Sequence, residues 1–360
     1  MSQIVSPEQV IDLAPHIIKA GHTLLLEGAP GTAKTSLTRA VAEVVAKTLG
    51  LTLTESLAPK KKEYGYIKMH MGNHDPVDFT LPFTYDDNGV TRQGRATMDI
   101  LPTQGRGLFV FEEVGQNPDV SRIVAQIVSE RRLGDVHIPD GWDFMMTTNR
   151  AGDRAGSSRL LTHLGNRIIR MTVKPTVEGY LAHNKDTTPE IASTLTWFPD
   201  LLDTFLEPDP PHKPVDGPFA STRSIAMLNK QLVTGTPTDD SMRPIVEGVV
   251  GSRFAATFFS VVRLQSTLPD IDGLLSRPED YVEEIKALGT SPDVVCALNI
   301  VLSKRVKRDV SVFGKCVALM ERVSEERAVS FVRLSIMMNE AVADEPEYGE
   351  FISKHQQMFC

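Results

Sequence analysis

Thr23-Leu-Leu-Leu-Glu27 runs directly into Gly28-Ala29-Pro30-Gly31-Thr32-Ala33-Lys34-Thr35-Ser36, and the order of these parts decides the fold. The leucine run reads as a buried strand, the glycines and proline as a tight loop, and a helix-like segment follows from Ser36 to Leu49. Strand, glycine-rich loop, Lys-Thr and helix in that order make a phosphate-binding loop. Its glycines let backbone N–H groups turn inward around phosphate oxygens, Lys34 reaches the β and γ phosphates, and the Thr35 hydroxyl can ligate Mg²⁺. ATP and Mg²⁺ are therefore the expected ligands, with Gly28 through Ser36 as the cradle. Ala33 stands where the usual pattern has its second glycine. A residue with helical φ/ψ would carry the extra methyl group without strain, and that conformation is expected of Ala33.

The chain has 360 residues, 41% hydrophobic and 23% charged, so it is a globular sequence too long for one small core and two or three domains are expected. A formal net charge of −8 argues against indiscriminate coating of nucleic acid, though not against a local basic groove. The most apolar stretch, Ile245 to Val262, is interrupted by Glu247 and Arg253, so no membrane span is expected. The N-terminus lacks the basic segment and apolar core of a secretory signal. Cys296, Cys316 and Cys360 are too scattered for a disulfide framework or a zinc site, which fits a reducing, cytoplasmic setting.

Upstream of the loop, Ser6-Pro7-Glu8-Gln9 is a capped helix start. Downstream, Leu108 to Phe111, Phe144 to Thr148 and Ile168 to Val173 are short, strongly apolar strand candidates, the pattern of a parallel sheet covered on both faces. Asn117-Pro118 opens a helix in which Val120, Ile123, Val124, Ile127 and Val128 recur at helical spacing. The first half is thus an α/β nucleotide-binding domain. After Val173 the strand signal fades. Thr176 to Phe205 reads as helices broken by Pro189 and Pro199, and Glu207-Pro-Asp-Pro-Pro-His-Lys-Pro214 as a loop or linker. Gly248, Gly251, Ala255 and Ala256 are spaced for close helix packing, and from Leu274 the chain is helical with a charged surface.

Leu108-Phe-Val-Phe-Glu112-Glu113 is an apolar strand ending in two carboxylates. A buried parallel strand presents its last side chains at the sheet edge where nucleotide binds. Glu112 would hold Mg²⁺, through water, and Glu113 would orient and deprotonate the attacking water. Phe144-Met-Met-Thr-Thr148-Asn149 repeats the architecture with a neutral amide at its end, suited to the γ-phosphate or the lytic water. Leu164-Gly-Asn-Arg167 precedes the last strand, and Ala220-Ser-Thr-Arg223 follows the proline-rich run.

Together these motifs resemble the AAA+ ATPase superfamily, and within it the MoxR-like group with its bacterial and phage members. The resemblance runs from about Gly21 to Arg223 and continues more weakly through Gly248-Val-Val-Gly251 and Leu268-Pro-Asp270. Asp75-Pro-Val-Asp78 followed by Leu81-Pro82, and Pro139-Asp-Gly-Trp142, are similar to that group's pattern too. The resemblance implies a P-loop NTPase core with a parallel sheet over residues 1–174, an α-helical lid over 175–273 and C-terminal helices over 274–360. It implies a ring, usually a hexamer, with ATP at subunit boundaries. By position Asn149 resembles sensor 1, Arg167 the arginine finger entering a neighbour's site and Arg223 the lid's sensor 2, while Arg150, Arg154 and Arg159 are rivals for the finger. It also implies a client or adaptor protein, in this group often one with a von Willebrand factor A domain.

Two segments are candidates for touching that partner. Tyr85-Asp-Asp-Asn-Gly89-Val-Thr-Arg92 carries an Asn-Gly hairpin signal, and Gly134-Asp-Val-His-Ile-Pro-Asp-Gly141 could form a second hairpin. His70 and His74 are four apart but have no third metal ligand in view. Lys60-Lys-Lys62 and Lys304-Arg-Val-Lys-Arg308 read as solvated faces. Two other readings share the same core: a nucleic-acid motor or restriction-type ATPase, expected to show steeply salt-dependent stimulation by DNA or RNA, and a non-catalytic scaffold held together by ATP.

Overall fold

Ser6 starts the first helix as the sequence requires. Its hydroxyl accepts from the Gln9 amide, the Gln9 side chain accepts from the Ser6 amide, and Pro7 opens α1 (Pro7–Lys19). The computed structural model describes residues 3–97, 99–150, 167–206, 215–264, 268–289 and 291–358. They fall into two compact units, Met1–Pro175 and Thr176–Cys360.

In the first unit, β1 (Gln3–Val5), β2 (Thr23–Glu27), β3 (Thr52–Thr54) and β4 (Glu63–His70) precede β7 (Gly107–Glu112), β10 (Trp142–Thr148) and β11 (Ile168–Val173). These seven form one sheet in the order β1-β11-β2-β10-β7-β4-β3, every pair parallel. The runs read as strands are central because both their faces are covered. Leu24 and Leu26 pack with Val10 and Ile18 of α1 and with Val41 and Val45 of α2 (Lys34–Thr48). Leu25 points the other way, into a layer with Phe109, Phe111, Phe144 and the Val120, Val124 and Ile127 face of α4 (Pro118–Glu130). Asn117 caps α4 by accepting from the Asp119 and Val120 amides.

β10 lies between β2 and β7, so Thr148 pairs in register with Glu27 while Met146 pairs with Phe111. One strand thus separates the phosphate loop from the acidic pair. At the opposite edge Trp142 covers Gly65 and Gly107. A Cβ on Gly65 would overlap the indole, and one on Gly107 would overlap the Gly65 carbonyl and lie 2.7 Å from the indole. The indole N–H donates to the Gln104 carbonyl at 2.9 Å. Next to it burial raises the Asp143 carboxyl to about 6, with Arg131 opposing.

Both expected hairpins exist. A short helix, α3 (Pro76–Phe79), leads into β5 (Thr80–Asp87) and β6 (Val90–Thr97), joined through Asn88 and Gly89 at φ 54° and 79°. The second hairpin starts earlier than its sequence signal: β8 (Arg132–Leu133) pairs with β9 (Val136–His137) around Gly134. Arg131 fixes its base, donating to the Pro139 and Trp142 carbonyls while its guanidinium lies 5.1 Å from the Phe144 ring centre.

The second unit is helical among its described residues. Prolines begin its helices instead of breaking them: Pro189 opens α6 (Pro189–Trp197), which follows α5 (Val177–His183), and Pro199 opens a 3₁₀ turn. α7 (Thr222–Val233) is capped by Ser221. α8 (Arg243–Leu264) is two helical pieces joined at Gly251, where φ is 78° and any Cβ would overlap the Pro218 carbonyl. Of the small residues expected to pack, Gly251 and Ala255 are buried, whereas Gly248 faces open space and Ala256 is exposed. The stretch Asp240–Leu264 is long and apolar enough to cross a membrane by length and composition alone, yet Val250, Phe254 and Phe258 lie in the unit's core.

The remaining helices are α9 (Ile271–Ser276), α10 (Val282–Leu288), α11 (Pro292–Arg308), α12 (Phe313–Val323), α13 (Glu325–Met338) and α14 (Pro346–Lys354). Leu298, Leu302, Phe313, Met320 and Phe331 are buried together in their core. Lys304 pairs with Glu190 at 2.6 Å and Arg305 with Asp272, so two charges of that basic run are spent within the unit. Cys296 and Cys316 are buried free thiols, both pushed up by burial, Cys316 to about 12. Glu207 to Pro214 and Cys360 lie outside the described residues.

Candidate functional site

The loop after β2 is closed by its own side chains. Thr32 Oγ1 donates to the Ala29 carbonyl at 2.8 Å, and a Cβ on Gly28 would come within 3.0 Å of that hydroxyl and of the Val173 carbonyl. Gly31 has φ 79°, turning the chain back toward the helix. Ala29 and Thr32 are buried, Pro30, Lys34 and Thr35 half-buried, and Ala33 and Ser36 exposed.

Ala33 corrects an expectation. It is not helical but left-handed, at φ 59° and ψ 21°, on the residue that caps α2. An alanine there carries about 1 kcal/mol that glycine would not. The loop thus keeps the geometry of its missing glycine at a local cost.

Lys34 Nζ donates to the carbonyls of Gly28 and Ala29 at 2.8 Å each, and to Asn149 Oδ1 at 3.0 Å. The ammonium therefore sits in the mouth of the loop, touching the amide that ends β10. The structure brings together two residues that are 115 apart in sequence. Glu27, the last residue of β2, would repel phosphate, but Arg170 Nη2 pairs with its carboxylate at 2.5 Å.

Glu112 ends β7 in the sheet and is 7% exposed, and its Oε1 is buried without a hydrogen-bond partner. A charged oxygen buried this way calls for a cation. The fit to Mg²⁺ is good: Thr35 and Glu112 are oxygen donors, as a hard cation prefers, and such an ion fills its remaining positions with water and phosphate. Among the described residues no group of three or more His, Cys, Asp or Glu could hold a metal alone.

Glu113 leaves the strand at φ 57°, a left-handed conformation unusual for a side chain of its size. β10 fixes this turn, since Thr147 Oγ1 accepts from the Glu113 amide at 3.3 Å and the Thr147 carbonyl from the Val114 amide at 3.1 Å. His70 Nε2 lies 3.2 Å from Glu113 Oε2, and the Gln116 amide donates to the same oxygen. Gly72 makes room for Gln116, because a Cβ there would overlap its side-chain oxygen.

His70 and Gln116 were not legible as site residues. The pairing of His70 with Glu113 arises because His70 ends β4 in register with Glu112, and β4 has no continuous apolar run. His74, four residues on, pairs instead with Asp78 at 3.4 Å.

Arg167 is not brought to this cluster. It is exposed and immediately precedes β11, whose Ile168 pairs with Thr23 at the start of β2. The length of β2, roughly 15 Å at the usual rise per residue, separates it from its own loop. Arg223 lies exposed in the first turn of α7, in the second unit. Arg150 is half-buried beside Asn149, while Arg154 and Arg159 lie outside the described residues.

No protein-family model matches the chain, and no curated protein matches it. Among solved structures, it is similar to a candidate ATPase of Cytophaga hutchinsonii ATCC 33406 at 13% identity and a TM-score of 0.31, over 99% of this chain and 90% of that one. It is also similar to NtrX of Brucella abortus, at 10% identity and a TM-score of 0.37 over 89% and 69% of the two chains. A third is C. elegans PCH-2, at 14% identity and a TM-score of 0.30 over 72% and 66%. With likeness this loose, the reading rests on the residues themselves. A buried strand, its glycine-containing loop with a lysine in the mouth, the helix behind it and an acidic strand end one strand away make this chain an α/β P-loop core followed by a helical C-terminal part.

Proposed function

We propose that this chain is an AAA+ ATPase of the MoxR-like group that hydrolyses Mg·ATP between neighbouring copies in a ring and uses the cycle to remodel a partner protein. The observation that carries the reading is the meeting of Lys34 with Asn149 at the loop mouth, one strand from the buried Glu112 and the restrained Glu113. Backbone N–H groups from Gly28 to Ser36 would cradle the phosphates, and Lys34 would move from the loop carbonyls to the β and γ oxygens. Bound by Thr35 and Glu112, Mg²⁺ would neutralise charge on those oxygens. Glu113 would take the proton of the attacking water, which Asn149 would help to place.

The position of Arg167, a strand's length from its own loop, suits action on a neighbour's nucleotide. Arg223 would act from the lid. On this reading residues 1–174 form the nucleotide domain, 175–273 the lid and 274–360 an extension, in a hexamer in the cytoplasm. A client with a von Willebrand factor A domain would be in keeping with the resemblance. Leu81, Phe83 and Tyr85 are exposed on β5, and such a face suits a polypeptide client better than a phosphate backbone. Glu113→Gln tests the reading: ATP binding should persist while turnover falls by about 10²–10⁴-fold. Turnover equal to that of the unaltered protein would remove Glu113 from the chemistry.

A further inference from the structure

Behind the candidate metal site lies a pair of buried hydroxyls. Thr38, one turn beyond Thr35 on α2, is fully buried, and Tyr66 on β4 is 3% exposed. Thr38 Oγ1 donates to the Thr35 carbonyl at 2.8 Å and lies 2.9 Å from the Tyr66 hydroxyl. The assignment of protons follows. A threonine has one hydroxyl proton, and the Thr35 carbonyl can only accept, so Tyr66 must donate to Thr38.

Burial pushes the Tyr66 phenol up from its ordinary value, and the Glu112 carboxylate acts in the same direction. The phenol therefore keeps the proton that this donation needs. Val41, Leu108 and Val110 fill the same layer, so packing alone would accept a phenylalanine and a valine here. Two polar groups in a dry layer ask for another reason.

We propose that Tyr66 and Thr38 form a hydroxyl relay that sets the first turn of α2, and with it the Thr35 side chain, for Mg²⁺. Tyr66 is then a positioning residue. The inference rests on the Mg·ATP reading and goes beyond it by naming what holds the metal-binding threonine in place. Outer partners of this kind typically change metal affinity by 10–100-fold.

The test is equilibrium binding of a fluorescent ATP analogue, titrated with Mg²⁺ and repeated in EDTA. Tyr66→Phe should move the Mg²⁺ midpoint up by roughly tenfold and leave affinity in EDTA unchanged. Thr38→Val should give the same shift, and Thr38→Ser, which keeps the hydroxyl, should restore the original midpoint. A Tyr66→Phe midpoint within twofold of the unaltered protein, or equal losses with and without Mg²⁺, would overturn the relay while leaving the ATPase reading intact. An unaltered protein that binds no nucleotide under either condition would overturn both.

Discussion

At the C-terminal edge of the sheet, polar groups from five strands and their loops hold one another: Lys34 with Asn149, Glu113 with His70 and Gln116, and Glu27 with Arg170. The N-terminal edge of the same strands is finished by packing, with Trp142 over Gly65 and Gly107. Because every strand of the sheet is parallel, all strand ends that lead into loops and helices of the site lie on one side. The difference leads to the expectation that a substitution's distance along one strand decides its effect: at the end of β7 it should alter chemistry, and at the beginning it should alter fit.

Arg167 is the sharpest test of this division, since it stands at the N-terminal edge yet is expected to serve a nucleotide. Arg167→Ala should lower turnover by about 10³-fold or more, leave ATP binding and melting temperature unchanged, and abolish any rise of specific activity with protein concentration. If specific activity is unaltered, the N-terminal edge contributes packing alone. Gly107→Ala probes that packing. It should cost about 1–3 kcal/mol in denaturant unfolding as the new methyl displaces β4 or the indole, while turnover per folded molecule stays as it was. A loss of turnover without a loss of stability would break the comparison.

Asp143 adds a pH dependence to the packed edge. Its carboxyl is raised to about 6 in the folded protein, so as pH climbs from about 4 the unfolded chain releases this proton first, and the native state loses stability. The loss is complete above about pH 6. Asp143→Asn should therefore melt higher than the unaltered protein at pH 7 and converge with it at pH 4; a gap that stays constant with pH would count against the burial argument. The smallest effect returns to the loop. Ala33→Gly should raise stability by under about 1 kcal/mol by removing left-handed strain, measurable as a shift in denaturant midpoint.

What the sequence made legible was whatever required continuous burial. The runs 23–27, 108–111 and 144–148 are buried along their whole length, and 168–173 buries Ile168, Met171 and Val173, so all four were apolar enough to stand out. β4 was not, because Glu63, Lys68 and His70 interrupt it and its tyrosines carry hydroxyls; with it went His70 and Tyr66, whose partners come from β7 and α2. The left-handed turns at Ala33 and Glu113 were equally hidden. No propensity places a non-glycine residue there, and only the surrounding hydrogen bonds and packing hold them. Lys34, Glu112 and Asn149 could be named from spacing, but their adjacency depended on β10 entering the sheet between two strands that precede it in the chain.

That insertion also sets a timetable for folding. Among the described residues β2 pairs with strands in 142–148 and 168–173, and β1 pairs with the latter. A nascent chain that has already emerged past its phosphate loop, and even past its acidic pair, still has no strand to lay against β2. Long-range parallel pairing of this kind is slow and leaves an apolar edge open meanwhile. Truncated or stalled chains ending before residue 142 should therefore be the aggregation-prone species, and the loop should acquire its shape among the last events of the first unit's folding.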